Sequence, residues 1–332
     1  MKYADYEKGD CFLDDRSEEV LEYYDIDVIS KRKGRGSIIC HTKQGNILVR
    51  EYIGTKRRME YEEELLLKLN EIGDIVTDCP LKNKEDNLIT ELEDGTTYIV
   101  KLWFDGKECD VKNVEDVYKG AEKLAVLHNN FNNLSIDAEI PVSPEGIYEE
   151  YYKHNVELKR ARNYIRNKTK KGMLELDILR NFDTYYHMAA EAVDTMKSLS
   201  EKSDSEKGIT HGNYNYHNII FDGNKTCIIN FEGSRYQMQI IDLYNYLRKV
   251  MEKYQWDEKT GINLLESYDR IKPISRFEKE TLKALISYPE KYWKVVNRYL
   301  NSSKSFIAEK NYEKISQVFI QQELKASFVL KI

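Results

Sequence analysis

The chain has 332 residues, 41% of them hydrophobic, enough to bury a core the size of one large domain or two lobes. Its 51 Lys and Arg against 57 Asp and Glu leave a net charge of -6, so no global positive field favours nucleic acid or an anionic membrane surface. No apolar run approaches the ~18 residues of a membrane span. The start "MKYADYEKGD" lacks a basic stretch followed by an apolar one, so synthesis and retention in the cytoplasm are expected. The five cysteines, at 11, 40, 79, 109 and 227, are odd in number and without C-x-x-C. That pattern fits neither a disulfide framework nor a zinc knuckle and predicts reduced thiols.

In chain order, "SEEVLEYY" predicts a short helix. The segments "DIDVIS", "GSIICHT" and "NILVREY" predict strands of a meander, separated by turns at "KRKGRG" and "KQGN". A long helix is expected over "KRRMEYEEELLLKLNEIG", where Met59, Leu65, Leu66, Leu69 and Ile72 recur at three- or four-residue spacing and Gly73 is the stop. "NLITEL" and "TTYIVKLWF" then read as a hairpin around "EDGT". From Asp105 the strand signals thin out, and "VEDVYKGAEKLAVLHNNF", "LRNFDTYYHMAAEAVDTMKSLS" and most segments after Asp242 are amphipathic at helical spacing. These elements predict an α+β, two-lobed architecture: a small β-rich N-terminal lobe over 1–104, a hinge at "FDGK", and a helical lobe over 105–332.

The stretch "THGNYNYHNIIF", Thr210 to Phe221, carries the chemistry. A His-Gly pair is followed by Asn213 and, five residues later, Asn218 before an apolar run. This is the layout of a protein-kinase-like catalytic loop, with Asn213 at the general-base position and Asn218 at a metal-ligand position. In "KTCIINFEGSRY" a strand ends at Asn230-Phe231, where an Asp-Phe pair would hold magnesium. Asp242 follows where such folds place a helix-capping Asp under the loop. In "LVREY" the strand position that carries the phosphate-contacting Lys is Arg50, and Glu62 on the long helix is its expected ion-pair partner. His211 is read as a structural histidine bonded to backbone, Gly34 and Gly36 in "KRKGRG" as candidate phosphate contacts, and Glu232 as the carboxylate that could restore a metal site. Isolated Asn residues are mostly turn residues. The joint placement of Asn213, Asn218 and Asn230 favours inherited kinase positions instead. The basic run "KRARNYIRNKTKK" reads as a solvated helix face, with an anionic partner as the alternative.

On these motifs, and on "LWFDGKECD", "VEDVYKGAEKLAVLHNN", "DLYNYLRKVMEKYQWD" and "RFEKETLKALISYPEKYWKVVNRYL", the chain from about residue 20 to its C-terminus resembles the CotS-type spore-coat proteins. These are a branch of the aminoglycoside-phosphotransferase-like kinase superfamily. The resemblance implies a protein-kinase-like bilobal fold, sporulation, association with the spore coat and other coat proteins as partners. It names no small-molecule substrate, and it offers coat cross-linking as one use for the 25 tyrosines.

Family members keep Asp where this chain has Asn213 and Asn230. A neutral amide cannot take a hydroxyl proton, and loss of a general base costs roughly 10²- to 10⁴-fold in rate. Magnesium is normally held by carboxylates together with phosphates, so Asn218 and Asn230 offer it a poor site. The expectation is a catalytically impaired kinase-like protein with no metal of its own and no firm cofactor, ATP with weak or absent magnesium being the open case. The alternative is an ATP-dependent phosphotransferase acting on a small molecule or a protein.

Overall fold

The computed structural model describes residues 15–200, 207–301 and 308–332. Cys11 and the opening "MKYADYEKGD" lie outside the described residues. The elements in chain order are α1 (Ser17–Leu21), β1 (Val28–Gly34), β2 (Ser37–Thr42), β3 (Gly45–Glu51), α2 (Lys56–Ile72), β4 (Val76–Thr77), β5 (Thr90–Glu91), β6 (Thr97–Trp103) and β7 (Lys107–Glu108). Then come the helices α3 (Val114–Asn133), α4 (Ile147–Asn167) and α5 (Met173–Ser200). The strands β8 (Lys207–Thr210), β9 (Ile219–Asp222), β10 (Lys225–Ile228) and β11 (Arg235–Met238) lead into α6 (Ile240–Met251), α7 (Glu258–Asp269), α8 (Arg276–Ser287), α9 (Glu290–Asn301) and α10 (Ala308–Val329).

The chain forms two compact units, and neither is a continuous stretch. The first is residues 1–108 with 134–140 and 217–231; the second is 109–133, 141–216 and 232–332.

In the first unit a five-stranded sheet has the order β1-β2-β3-β6-β5. One face packs Ile38, Cys40, Ile47, Val49, Tyr98 and Val100 against Val20, Leu21 and Tyr24 of the α1 region. On the other face Ile99 meets Met59 of α2. Thr55 caps α2 by accepting the Arg58 N–H, and the helix stops at Gly73 as its sequence predicts. The turn expected at "KRKGRG" is shorter than the sequence suggests. Strand β1 runs on through Gly34, which pairs with Ser37, leaving Arg35 and Gly36 as the turn, with Gly36 at φ +66°. A second sheet, β4-β10-β9-β7, completes the unit. Its β4 is too short to be legible in sequence, and it lies parallel to β10 with Val76 opposite Cys227 and Thr77 opposite Ile228.

The second unit is helical apart from the antiparallel pair β8 and β11. Tyrosine hydroxyls close several of its helix contacts: Tyr214 donates to the Gly120 carbonyl at 2.7 Å and Tyr246 to the Val117 carbonyl at 2.8 Å. The basic run on and after α4 is partly spent internally. Arg162 pairs with Asp183 at 2.9 Å, and Lys168 reaches Glu175 at 2.6 Å and the Tyr299 hydroxyl at 2.7 Å. Cys40, Cys79, Cys109 and Cys227 are buried thiols. Among the described residues no helix is long and apolar enough to cross a membrane.

Candidate functional site

Strand register builds the first unit's site. Arg50 on β3 lies opposite Ile99, and Leu48 opposite Lys101 on β6, so Arg50 and Lys101 share the sheet face turned toward α2. Glu62 of α2 is fully buried beneath them. The β9–β10 hairpin supplies the other half. Ile219 pairs with Ile228 at its open end, and the Ile229 N–H donates to the Asn218 carbonyl at 3.1 Å, which brings Asn218 and Asn230 side by side. Because β4 runs parallel to β10, Asp78, the residue after β4, sits beside Asn230.

The polar contacts among these residues form one network. Lys101 Nζ donates to Glu62 Oε1 at 2.5 Å and to Asp78 Oδ2 at 3.0 Å. The Asn230 backbone N–H donates to the same Asp78 oxygen at 3.1 Å. Asn230 Nδ2 donates to Asn218 Oδ1 at 2.9 Å, and Arg50 Nη1 donates to Asn230 Oδ1 at 3.3 Å. Asn230 holds φ +67°, a left-handed conformation that Asn tolerates better than most residues. Burial raises the Asp78 pKa, partly offset by Lys101. Burial alone would lower the Lys101 pKa, but Asp78 and Glu62 outweigh it and the net direction is up, so the ammonium is retained. Arg50 is shifted down by burial against the pull of Glu62 and Asp78, and a guanidinium stays charged regardless.

Arg50 is the expected ion-pair partner of Glu62; the cation hydrogen-bonded to Glu62 is Lys101, while Arg50 donates to Asn230 and feels Glu62 electrostatically. Sequence reasoning also missed Lys101 and Asp78. The signal for Lys101 is a lone charge inside "TYIVKLW" at a position that alternation makes inward, followed by the exposed Leu102. Asp78 had no such signal, since only the β4–β10 pairing brings it to the site. Of the glycines, Gly34 is a strand residue whose absent side chain makes room for Ser37, and Gly36 is the turn.

The remaining predicted residues belong to the second unit. Asn213 is exposed; its N–H donates to His211 Nδ1 at 3.1 Å and its Oδ1 accepts Asn215 Nδ2 at 3.2 Å. Glu232 is exposed on the turn Phe231–Gly233. Asp242, in the first turn of α6, accepts the backbone N–H of His211 at 2.6 Å and of Gly212 at 2.9 Å. It also receives His128 Nε2 at 3.3 Å, while His128 Nδ1 meets the Tyr268 hydroxyl at 2.7 Å. Burial lowers the His128 pKa, so the ring is neutral: Nε2–H donates to Asp242 and Nδ1 accepts from Tyr268. Asp242 thus holds the base of the loop, and His211 joins it through its N–H to Asp242 and its Nδ1 to the Asn213 N–H.

Gly212 shows how tight that base is. Its φ is +77°, and a Cβ there would lie 1.9 Å from the Gly233 carbonyl oxygen. Gly212→Ala is therefore expected to lower stability by at least about 1–3 kcal/mol, the scale of one strained backbone position, measured by urea melts against wild type.

The fold is that of aminoglycoside phosphotransferases of known structure. The crystal structure of an aminoglycoside phosphotransferase from Alicyclobacillus acidocaldarius superposes with a TM-score of 0.81 at 16% identity, covering 99% of this chain and 98% of that one. The spectinomycin phosphotransferase APH(9)-Ia in complex with ADP and spectinomycin gives 0.63 at 14% identity over 93% and 97%. The amicoumacin kinase hAmiN in complex with AMP-PNP, Ca²⁺ and its antibiotic gives 0.60 at 11% over 95% and 94%. At these identities the likeness is one of fold. Residues 17–332 match the family described as "Spore coat putative kinase YutH", and the chain belongs to that family. No curated protein matches it in sequence.

Proposed function

We propose that this protein is a catalytically impaired kinase-like component of the spore coat, with a structural or scaffold role during sporulation and other coat proteins as its partners. It is made in the cytoplasm and acts in the coat. The observation that carries this reading is the bond from Asn230 Nδ2 to Asn218 Oδ1 at 2.9 Å. A carboxylate cannot donate it. Asn230 is therefore wired into the site as an amide, and the two oxygens that would face a metal both accept hydrogen bonds from this chain. At Asn213, the side-chain amide likewise cannot serve as a general base.

The donor set does not fit magnesium. Two amide oxygens beside a guanidinium, with the neighbouring Asp78 carboxylate paired to Lys101, are a poor match for the carboxylates with which this ion is normally held, so no phosphoryl-transfer step is derived through it. Purified protein with ATP and magnesium or manganese is expected to show no phosphoryl transfer to itself, to generic protein substrates or to aminoglycosides. Turnover near ~1 per second, the lower end of ordinary kinase rates, would contradict the reading and favour a working phosphotransferase. In a sporulating host lacking the protein, a copy carrying Asn213→Asp and Asn230→Asp is expected to assemble the coat no better than wild type.

A further inference from the structure

We propose that α10 is a self-association surface: a second copy of this chain docks on its outer face, the two helices pairing antiparallel about a two-fold axis. The pairing goes beyond the scaffold role and does not depend on it, because an active kinase could dimerise in the same way.

The helix is anchored by one face. Ile315 and Phe328 are fully buried, Phe328 packs so closely on α7 that Gly261 leaves no room for a Cβ, and Lys325 Nζ donates to the Tyr288 carbonyl at 2.8 Å. The outer face is exposed at Glu313, Gln317, Ile320, Leu324, Ser327 and Lys331. Their spacing alternates between four and three residues, which sets them in one stripe along the helix, as in the seam of a coiled coil. Leu330 and Lys331 follow Val329 in the same turn, the Leu330 N–H donating to the Ala326 carbonyl at 3.4 Å. At the centre of the stripe Ile320 is 66% exposed and Leu324 50%, and Leu330 beside its end is 84% exposed. A single exposed apolar residue needs no partner. What points to a second copy is the order of residues along the stripe.

An isologous contact requires that each residue face the one that faces it in return. Setting Ile320 against the partner's Leu324 also sets Gln317 against the partner's Ser327 and Glu313 against the partner's Lys331. Apolar then meets apolar at the centre, amide meets hydroxyl beyond it, and opposite charges close both ends. A parallel pair would instead oppose Glu313 to Glu313 and Lys331 to Lys331, like charges that select against it. Lys331 also lies 3.6 Å from Glu258 of α7, but the two side chains are 55% and 49% exposed, and a pair so open to water is weak enough to exchange. One residue opposes the pairing. Glu323, exposed on the flank of the stripe, meets its own copy across the two-fold axis. A contact of two helices alone falls at the weak end of interface sizes, so the dimer is expected only at high protein concentration.

The test is sedimentation velocity of the full chain over roughly a hundredfold range of concentration. Wild type is expected to pass from monomer to dimer, Ile320→Glu with Leu324→Glu to stay monomeric, and Glu323→Gln to lower the midpoint about twofold by relieving a like-charge contact. A second measurement reads the register. In a Cys11→Ser background, where the described cysteines are buried, Gln317→Cys and Ser327→Cys proteins are oxidised separately and as a mixture. The mixture is expected to give a disulfide-linked dimer and neither variant alone to do so. Positions 317 and 327 lie about 15 Å apart within one helix, too far for a disulfide, and face each other only across the antiparallel pair. Wild type that stays monomeric throughout, a dimer that survives Ile320→Glu with Leu324→Glu, or cross-linking of either cysteine variant alone as readily as the mixture overturns the proposal.

Discussion

Lys101→Met is expected to destabilise the protein by about 3–5 kcal/mol, the cost of leaving buried charges without their partner. The side chain is fully buried and is hydrogen-bonded to both Glu62 and Asp78, so its removal leaves two carboxylates close together without the cation between them. Urea melts at neutral pH measure the loss. Adding Glu62→Gln and Asp78→Asn to Lys101→Met should recover part of it, because the triple variant neutralises the two carboxylates that Lys101→Met leaves without their ammonium. A loss that the triple variant leaves unchanged would mean that packing, and not charge, sets the cost.

The pH dependence of the same site has a definite sign. Lys101 has a folded pKa above its ordinary 10.5, so its contribution is complete below that value and fades as pH rises through the folded pKa. Asp78 has a folded pKa above its ordinary 3.8, so its ionised form is a cost, absent in acid and complete once pH exceeds the folded pKa. In Lys101→Met the carboxylates can protonate, and the gap to wild type is expected to narrow as pH falls toward 4.

Asp242→Ala is expected to cost a comparable amount, about 3–5 kcal/mol, in the second unit. One buried carboxylate satisfies the His211 and Gly212 N–H groups and orients His128, so its loss leaves buried donors without an acceptor. Burial would raise the Asp242 pKa, but its bonds to His128 and the His211 N–H outweigh this and hold it below 3.8. The stability it supplies is therefore present above that value and lost as pH falls through the folded pKa. His128 adds a second limb. With its folded pKa below 6.5, the unfolded chain binds the proton first, and stability declines as pH falls from 6.5 toward the folded value. Asp242→Ala should flatten the acid limb below about pH 4, which pH-dependent urea melts would reveal. A variant with an unchanged acid limb would show that Asp242 is not its source.

Much of this was legible in sequence because it depends on local spacing. Short Ile- and Val-rich segments between turn signals gave strands of the first sheet. The three- and four-residue spacing of Met59, Leu65, Leu66 and Leu69 gave α2, and the fixed distances between His211, Asn213, Asn218 and Asn230 marked them as candidate site residues. Two-residue strands carry no periodic signal, so β4 was invisible, and with it the route by which Asp78 reaches the site.

What the sequence could not decide is which charges meet. Arg50, Glu62, Asp78, Lys101, Asn218 and Asn230 are separated by up to 180 residues, and both Arg50 and Lys101 are cations on strands beside α2. Choosing between them as the hydrogen-bond donor to Glu62 requires the register of β3 against β6. Learning that Asn230 is held as a donor to Asn218 requires the open end of the β9–β10 hairpin beside β4. Sequence fixes which groups are present; a hydrogen bond or ion pair also needs a few ångströms and a direction, and only the folded backbone supplies those.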